Sequence, residues 1–223
     1  NGSWKKMQEM ILFHDENLLI VNKPAGLVTH ATLDKKRDNL VDLLKRELNL
    51  SYLGLIHRLD KDTSGAILFT LKEEANIPVQ KMLENREIKK TYQALVSGHL
   101  EWSGHEQKWE DFLKKERRQG IELMSKVTKG GVKAISLLKD VKHFNHTSLL
   151  ELELVTGRMH QLRIQTSVRG HAIVGDTLYG DRSRQEVRMF LHSSKMILKH
   201  PVTNSPLTII APLPPEFEQR VLK

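Results

Sequence analysis

What most restricts the folding of this chain is how often one short β-prone run follows another with only a turn between them. Met10–His14 and Leu18–Asn22 flank Asp15, Glu16 and Asn17, and Lys23, Pro24, Ala25 and Gly26 close the second run, a pattern that predicts a hairpin. Gly54–Leu59 is extended in character, Asp60–Gly65 has turn chemistry, and Ala66–Thr70 resumes a buried-strand pattern, which sets Asp60 at a strand end. Thr91–Val96 and Leu149–Val155 add further strands. Helical spacing is rarer. Leu40, Leu43, Leu44 and Leu48 recur behind Asp38, the expected N-cap, and residues 73–86 read as a helix despite Pro78, which should start a turn or kink it. Thr156 is expected to cap a helix carrying Arg158, His160, Gln161 and Arg163 and stopping at Gly170. Glu101–Lys142 is charged and weakly periodic, and reads as loops and short strands. Consecutive strands rule out a regular parallel βαβ array, so the expected fold is α+β: a mixed, largely antiparallel sheet with flanking helices and a central cleft.

At 223 residues and 39% hydrophobic content the chain can bury a real core. One domain is expected over 10–223, behind an N-terminal tail at 1–9 whose Asn1, Gly2 and Ser3 resemble a leftover of recombinant expression. The net charge of +8 biases the surface towards polyanions without naming one. Cysteine is absent, which removes disulfides, thiolate metal sites and cysteine nucleophiles together. No apolar run approaches the roughly 20 residues of a membrane span, so a cytoplasmic protein without a membrane partner is expected.

Three clusters can carry chemistry. His57, Arg58, Asp60, Lys61, Asp62, Thr63, Ser64 and Gly65 set a carboxylate between cationic neighbours on a tight turn, which favours the ionised form that a nucleophile or charge stabiliser needs. A plain surface turn would use the same residues to bond local amides. Thr156–Arg163 places His160 and Arg163 three apart, on neighbouring parts of one helix face, where a solvated basic face is the competing reading. Lys89–Gln93 sets Tyr92 in a strand, where tyrosine is often a packing residue.

His57-Arg58-Leu59-Asp60 with Thr63-Ser64-Gly65 resembles the catalytic motif of the RluA-type RNA pseudouridine synthases. Asn22–Gly26 resembles that family's Lys-Pro motif, Lys90-Thr91-Tyr92 its tyrosine motif, and Thr156–Arg163 its Gly-Arg-x-His-Gln segment. Gly170-His171, Val174–Asp176 and Tyr179–Asp181 resemble the turn that follows, and Leu191-His192 with His200–Thr203 the C-terminal strand region. The likeness runs in order from about residue 10 to about residue 215; only 101–142 matches poorly. Many members carry a small basic domain ahead of the catalytic one, for which this chain has no room, so RNA is expected to dock on the catalytic domain.

The resemblance implies an isomerase. A uridine's N-glycosidic bond is broken, the uracil turns while bound, and C5 joins the same ribose; no group or electron enters or leaves, so no metal and no organic cofactor is expected. It implies Asp60 as the catalytic carboxylate, Tyr92 as the base or base partner that removes the C5 proton, and Arg163 as the partner of Asp60. Arg58 would fill the space that the extruded uridine leaves, and His57, Arg158, His160 and Gln161 would contact the RNA, ribosomal or transfer. The oligomeric state is not encoded legibly, and a monomer is expected. Two other readings stand beside this one. Asp60-x-Asp62-x-Ser64 with Asp176 and Asp181 approximates a magnesium-dependent aspartate-nucleophile phosphatase, and a non-catalytic RNA-binding module would share the fold. A calcium loop starting at Asp60 fails, because its twelfth place is Leu71 where a bidentate Glu is needed.

Overall fold

The predicted N-terminal hairpin forms because Asp15 builds its turn: Asp15 Oδ1 accepts from the amides of Asn17 and Leu18, both at 2.8 Å. Strand β1 (Ile11–His14) then pairs antiparallel with β2 (Leu18–Lys23). The computed structural model describes residues 2–31 and 38–223. The chain divides into two compact units, Asn1–Lys89 with Ser193–Pro212 and Lys90–His192 with Leu213–Lys223. Both are built on antiparallel strand pairs flanked by short helices, the α+β class that the strand spacing predicts.

In the first unit, helix α1 (Gly2–Met10) occupies the segment expected to be a tail, and Met7 is buried. Helix α2 (Leu40–Glu47) buries Leu40 and Leu44, as its spacing predicts. Its cap is Asn39 and not the expected Asp38: Asn39 Oδ1 accepts from the Asp42 amide at 2.9 Å, and its Nδ2 donates to Asp42 Oδ2 at 2.7 Å. The helix starts one residue later than expected, and only Asn39 reaches the third residue's orphan amide. Strand β3 (Gly54–Leu55) is a two-residue pairing on β4 (Ser64–Thr70), whose residues are buried on both faces. Asp60 therefore lies in the turn between the two, four residues ahead of β4. Helix α3 (Asn76–Glu84) runs on through Pro78, its third residue, where a missing amide costs no intrahelical bond.

The second unit corrects the reading of 101–142. Between β5 (Lys89–Ser97) and β9 (Thr147–Leu154) lie β6 (Gln107–Arg118), β7 (Ile121–Lys126) and β8 (Val132–His143), two of which are twelve-residue strands. The unit's strand order is β5-β9-β8-β6-β7. Trp109, Asp111 and Leu113 alternate inwards on β6 while Lys108, Glu110, Phe112 and Lys114 face out. Period-two alternation is thus present, but the outer positions are charged and one inner position is an aspartate, so hydrophobicity alone does not show it.

Helix α4 is shorter than expected, Gln161–Ser167, with His160 at the cap position in the left-handed region at φ 52°. Thr156, Arg158 and His160 precede it, so His160 and Arg163 do not share a helix face. Gly170, φ 81°, does end the segment: the His171 amide donates back to Thr166 O. Gln165 Nε2 and Arg169 Nη1 from this segment donate to Asp111 Oδ2 at 3.1 and 2.8 Å, and Arg169 lies 4.5 Å over the Trp109 ring, which seats the helix on β6. Leu113, Met124, Ala134 and Ile164 pack beneath it. Helix α5 (Pro215–Val221) packs Phe217 edge-on to Phe190.

The first unit is completed by β10 (Leu191–Lys199), beside β4, and β11 (Pro206–Ile210), antiparallel to β10. Its core gathers Leu18, Ile20, Leu68, Val79, Met196 and Leu198. Gly65, at φ +115°, lets β4 approach: a Cβ there would stand 2.1 Å from Ser193 O. Among the described residues no helix is long and apolar enough to cross a membrane.

Candidate active site

In the first unit, buried groups fix the Asp60 turn to the Lys-Pro loop. Lys23 is fully buried, and its ammonium donates to Pro24 O at 2.9 Å, Leu27 O at 2.7 Å and Lys61 O at 2.8 Å. The Gly26 amide also donates to Lys61 O, and Thr29 Oγ1 donates to Leu59 O. The carbonyls on both sides of Asp60 are thereby tied to residues thirty or more positions earlier, while the Thr63 amide closes the turn on Asp60 O at 3.0 Å. An ammonium taking three carbonyls in an apolar interior satisfies all three donors, which is how a lysine can be buried at all. The Asp60 side chain stays half-buried.

His57 is expected at the RNA, but its Nε2 accepts from the Leu68 amide at 2.9 Å, so the ring anchors the strand leading to Asp60 onto β4. Arg58 is exposed, with Nη1 3.5 Å from His30 Nε2. Asp62 is exposed and 4.0 Å from the Lys61 ammonium across the turn.

The second unit carries Tyr92 and Arg163. Tyr92 is 6% exposed on β5, opposite Leu152, and Lys90 shares its face opposite Leu154. Burial pushes the Lys90 ammonium below its ordinary pKa. Gln161, also expected to touch RNA, is buried, and all four of its hydrogen-bonding positions are used. Its Oε1 accepts from Thr156 Oγ1 and the Arg158 amide, and its Nε2 donates to Ile135 O and Ser136 Oγ, at 2.7 to 3.0 Å. It is the clamp that bends the chain into α4. Arg158 is exposed, its Nε donating to Lys133 O. His160 is half-buried, Nδ1 2.7 Å from Tyr179 Oη.

The residue that sequence reasoning leaves out of the site is Asp176. Arg163 grips it through two parallel bonds, Nε to Oδ2 at 2.8 Å and Nη2 to Oδ1 at 2.9 Å, with the Asp176 side chain fully buried and the Arg163 side chain 12% exposed. Burial by itself raises the Asp176 pKa, but Arg163 and the amides of Tyr179 and Leu178 outweigh it and hold the carboxyl below its usual range. The Gly175-Asp176 pair is visible in the sequence, where the phosphatase reading treats Asp176 as a metal ligand. Its lone pairs are spent on Arg163 and two amides, and Asp181 caps Ser183 instead. Among the described residues no three His, Asp or Glu side chains form a group that could hold a metal ion. The first unit thus carries a carboxylate on a pinned turn, and the second a buried phenol and a cation of fixed orientation.

A family model described as RNA pseudouridylate synthase matches residues 17–168, a span holding Asp60, Tyr92 and Arg163. The chain is 34% identical over 214 residues to the uncharacterized RNA pseudouridine synthase YhcT of Bacillus subtilis, covering 93% of this chain and 70% of that one. It is 32% identical over 216 residues to ribosomal large subunit pseudouridine synthase C of Escherichia coli, covering 93% and 67%. Among solved structures, the human RNA pseudouridylate synthase domain containing 4 shares the fold, with a TM-score of 0.75 at 23% identity over 96% of this chain and 92% of that one.

Proposed function

This chain belongs to the RNA pseudouridylate synthase family, and from that premise we propose that it isomerises uridine in large-subunit ribosomal RNA, using Asp60, Tyr92 and Arg163. The observation that supports this RNA is the run of relatives at 30 to 33% identity, each matched over more than nine-tenths of this chain, that are named ribosomal large subunit pseudouridine synthase C. In this reading Asp60 assists cleavage of the N-glycosidic bond by attacking the ribose or stabilising its developing positive charge. The uracil turns, C5 bonds to C1′, and the proton left on C5 passes to a base at Tyr92. The product has the atoms of the substrate.

Arg163 serves as a fixed cation that keeps the catalytic carboxylate ionised and aimed, and the Asp176 grip supports that role by setting the guanidinium's plane. Arg58, Arg158 and His160 meet the RNA; His57 and Gln161 shape the two segments that present them. The place of action is the cytoplasm, where ribosomal RNA is met.

The test is a large-subunit ribosomal RNA transcript incubated with the protein and mapped for pseudouridine. Wild type forms it at discrete uridines, and Asp60→Asn forms none while binding the transcript with similar affinity. Pseudouridine made by Asp60→Asn would overturn the assignment of the carboxylate. Binding by wild type without product would favour the non-catalytic RNA-binding module instead.

A further inference from the structure

Tyr179 touches three parts of the second unit's site at once. Its hydroxyl accepts from the Met124 amide on β7 at 2.8 Å and lies 2.7 Å from His160 Nδ1. Its ring lies beneath Arg163, the guanidinium carbon 5.3 Å from the ring centroid. Its own amide donates to Asp176 Oδ1 at 3.1 Å, the oxygen that also takes Arg163 Nη2, and its carbonyl accepts from Ser167 Oγ at 2.8 Å in the last turn of α4. Both ends of α4 and the arginine between them are thus attached to one tyrosine.

The contact with His160 carries the most meaning. His160 sits in the left-handed region at φ 52°, which a side chain with a Cβ adopts at a cost and keeps only where its surroundings hold it. Gln161 and Thr156 fix the backbone on either side, and the Tyr179 hydroxyl meets the imidazole itself. Strain held in this way gathers at sites where a side chain must point in one direction. Arg163 is held likewise, edge-on by Asp176 and face-on by the Tyr179 ring, so that the guanidinium has one plane open to it.

We propose that Tyr179 is a positioning residue for the isomerisation, setting His160 for RNA through its hydroxyl and setting Arg163 for the reaction through its ring. This rests on the reaction proposed above. The two arms separate chemically. Phenylalanine keeps the ring under Arg163 and drops the hydroxyl; leucine drops both.

The experiment uses the full chain and a large-subunit ribosomal RNA transcript labelled with tritium at uridine C5, since pseudouridine formation releases that hydrogen to water. Turnover and melting temperature are measured for wild type, Tyr179→Phe, Tyr179→Leu, His160→Ala and the double variant Tyr179→Phe with His160→Ala. Loss of the hydroxyl's bond to His160 predicts a KM for Tyr179→Phe raised on the order of tenfold with kcat within about twofold of wild type. Tyr179→Leu lowers kcat as well, on the order of tenfold, because Arg163 loses the ring. With alanine at 160, removing the hydroxyl raises KM no further, since the group it acts through is gone.

An unchanged KM in Tyr179→Phe, or independent, multiplying effects in the double variant, would overturn the role of the hydroxyl. Losses of kcat and KM that simply follow falling melting temperatures would reduce Tyr179 to a packing residue. If Tyr179→Leu does not fold, the phenylalanine cycle decides alone. Wild type that releases no tritium from any transcript overturns the reaction itself, and with it any part Tyr179 has in it; active wild type beside an indifferent Tyr179→Phe overturns Tyr179 only.

Discussion

Replacing Asp176 with asparagine weakens the Arg163 grip at constant shape, because only the charge and one acceptor change. The buried carboxylate makes two charge-assisted bonds with an arginine side chain that is 12% exposed. Removing one partner of a buried pair costs about 3–5 kcal/mol when the other stays buried. Arg163 keeps a little solvent, and asparagine keeps one acceptor, which places the loss near the lower end, about 3 kcal/mol. For a chain of this length 1 kcal/mol shifts the melting temperature by roughly 2–4 °C, so a fall of about 6–12 °C is expected at pH 7.

The pH dependence follows from the direction of the Asp176 shift. Its carboxyl titrates lower in the folded chain than in the unfolded one, so the wild type's advantage is complete above the ordinary carboxylate range, near pH 4, and is lost as pH falls through the folded value below it. The melting curves of wild type and Asp176→Asn should therefore converge in acid and stand apart at neutral pH. Turnover at saturating RNA should fall about 100-fold if Arg163 has the proposed role, since a guanidinium freed from its plane would no longer orient a carboxylate. Differential scanning calorimetry across pH and the tritium-release assay measure the two quantities. A variant that melts within 1 °C or so of wild type at pH 7 and turns over normally would refute the claim that this pair orients anything.

Lys23→Met leaves the carbonyls of Pro24, Leu27 and Lys61 without their shared donor; a stability loss of about 3 kcal/mol and reduced turnover are expected, and an unchanged urea midpoint would show that water replaces the ammonium without cost. Tyr92→Phe keeps the packing on β5 and removes only the hydroxyl, so gel-shift affinity for RNA should stay while product formation is lost; wild-type turnover would leave Tyr92 a packing residue. Asp62 is exposed and 4.0 Å from the Lys61 ammonium, so Asp62→Ala and excess chelator should both leave pseudouridine formation intact on an RNA whose own fold needs no magnesium. Turnover abolished by either would favour the phosphatase-like chemistry.

Local signals in the sequence decide the hairpin at Asp15, the turn at Asp60 and the spacing of α2, because each depends on hydrogen bonds or apolar positions a few residues apart. The ordered motifs identify the family, and point to the three residues proposed for the site, for a related reason: chemistry restricts side-chain identity within short segments. Long-range partners carry no such mark. Lys23 and Lys61, Arg163 and Asp176, and Tyr179 and Met124 are brought together by strand pairing and helix seating, and each member alone reads as an ordinary surface charge or a packing ring. The strand β6 escapes detection because its outer face is mostly charged and the inner Asp111 is neutralised by Lys126 and Arg169, fifteen and fifty-eight residues further on. His160 is the sharpest case. Its neighbours favour a helix that begins at Thr156, but the Gln161 clamp holds the segment open until residue 161, and a left-handed histidine becomes affordable only once β7, β8 and the turn after α4 stand around it.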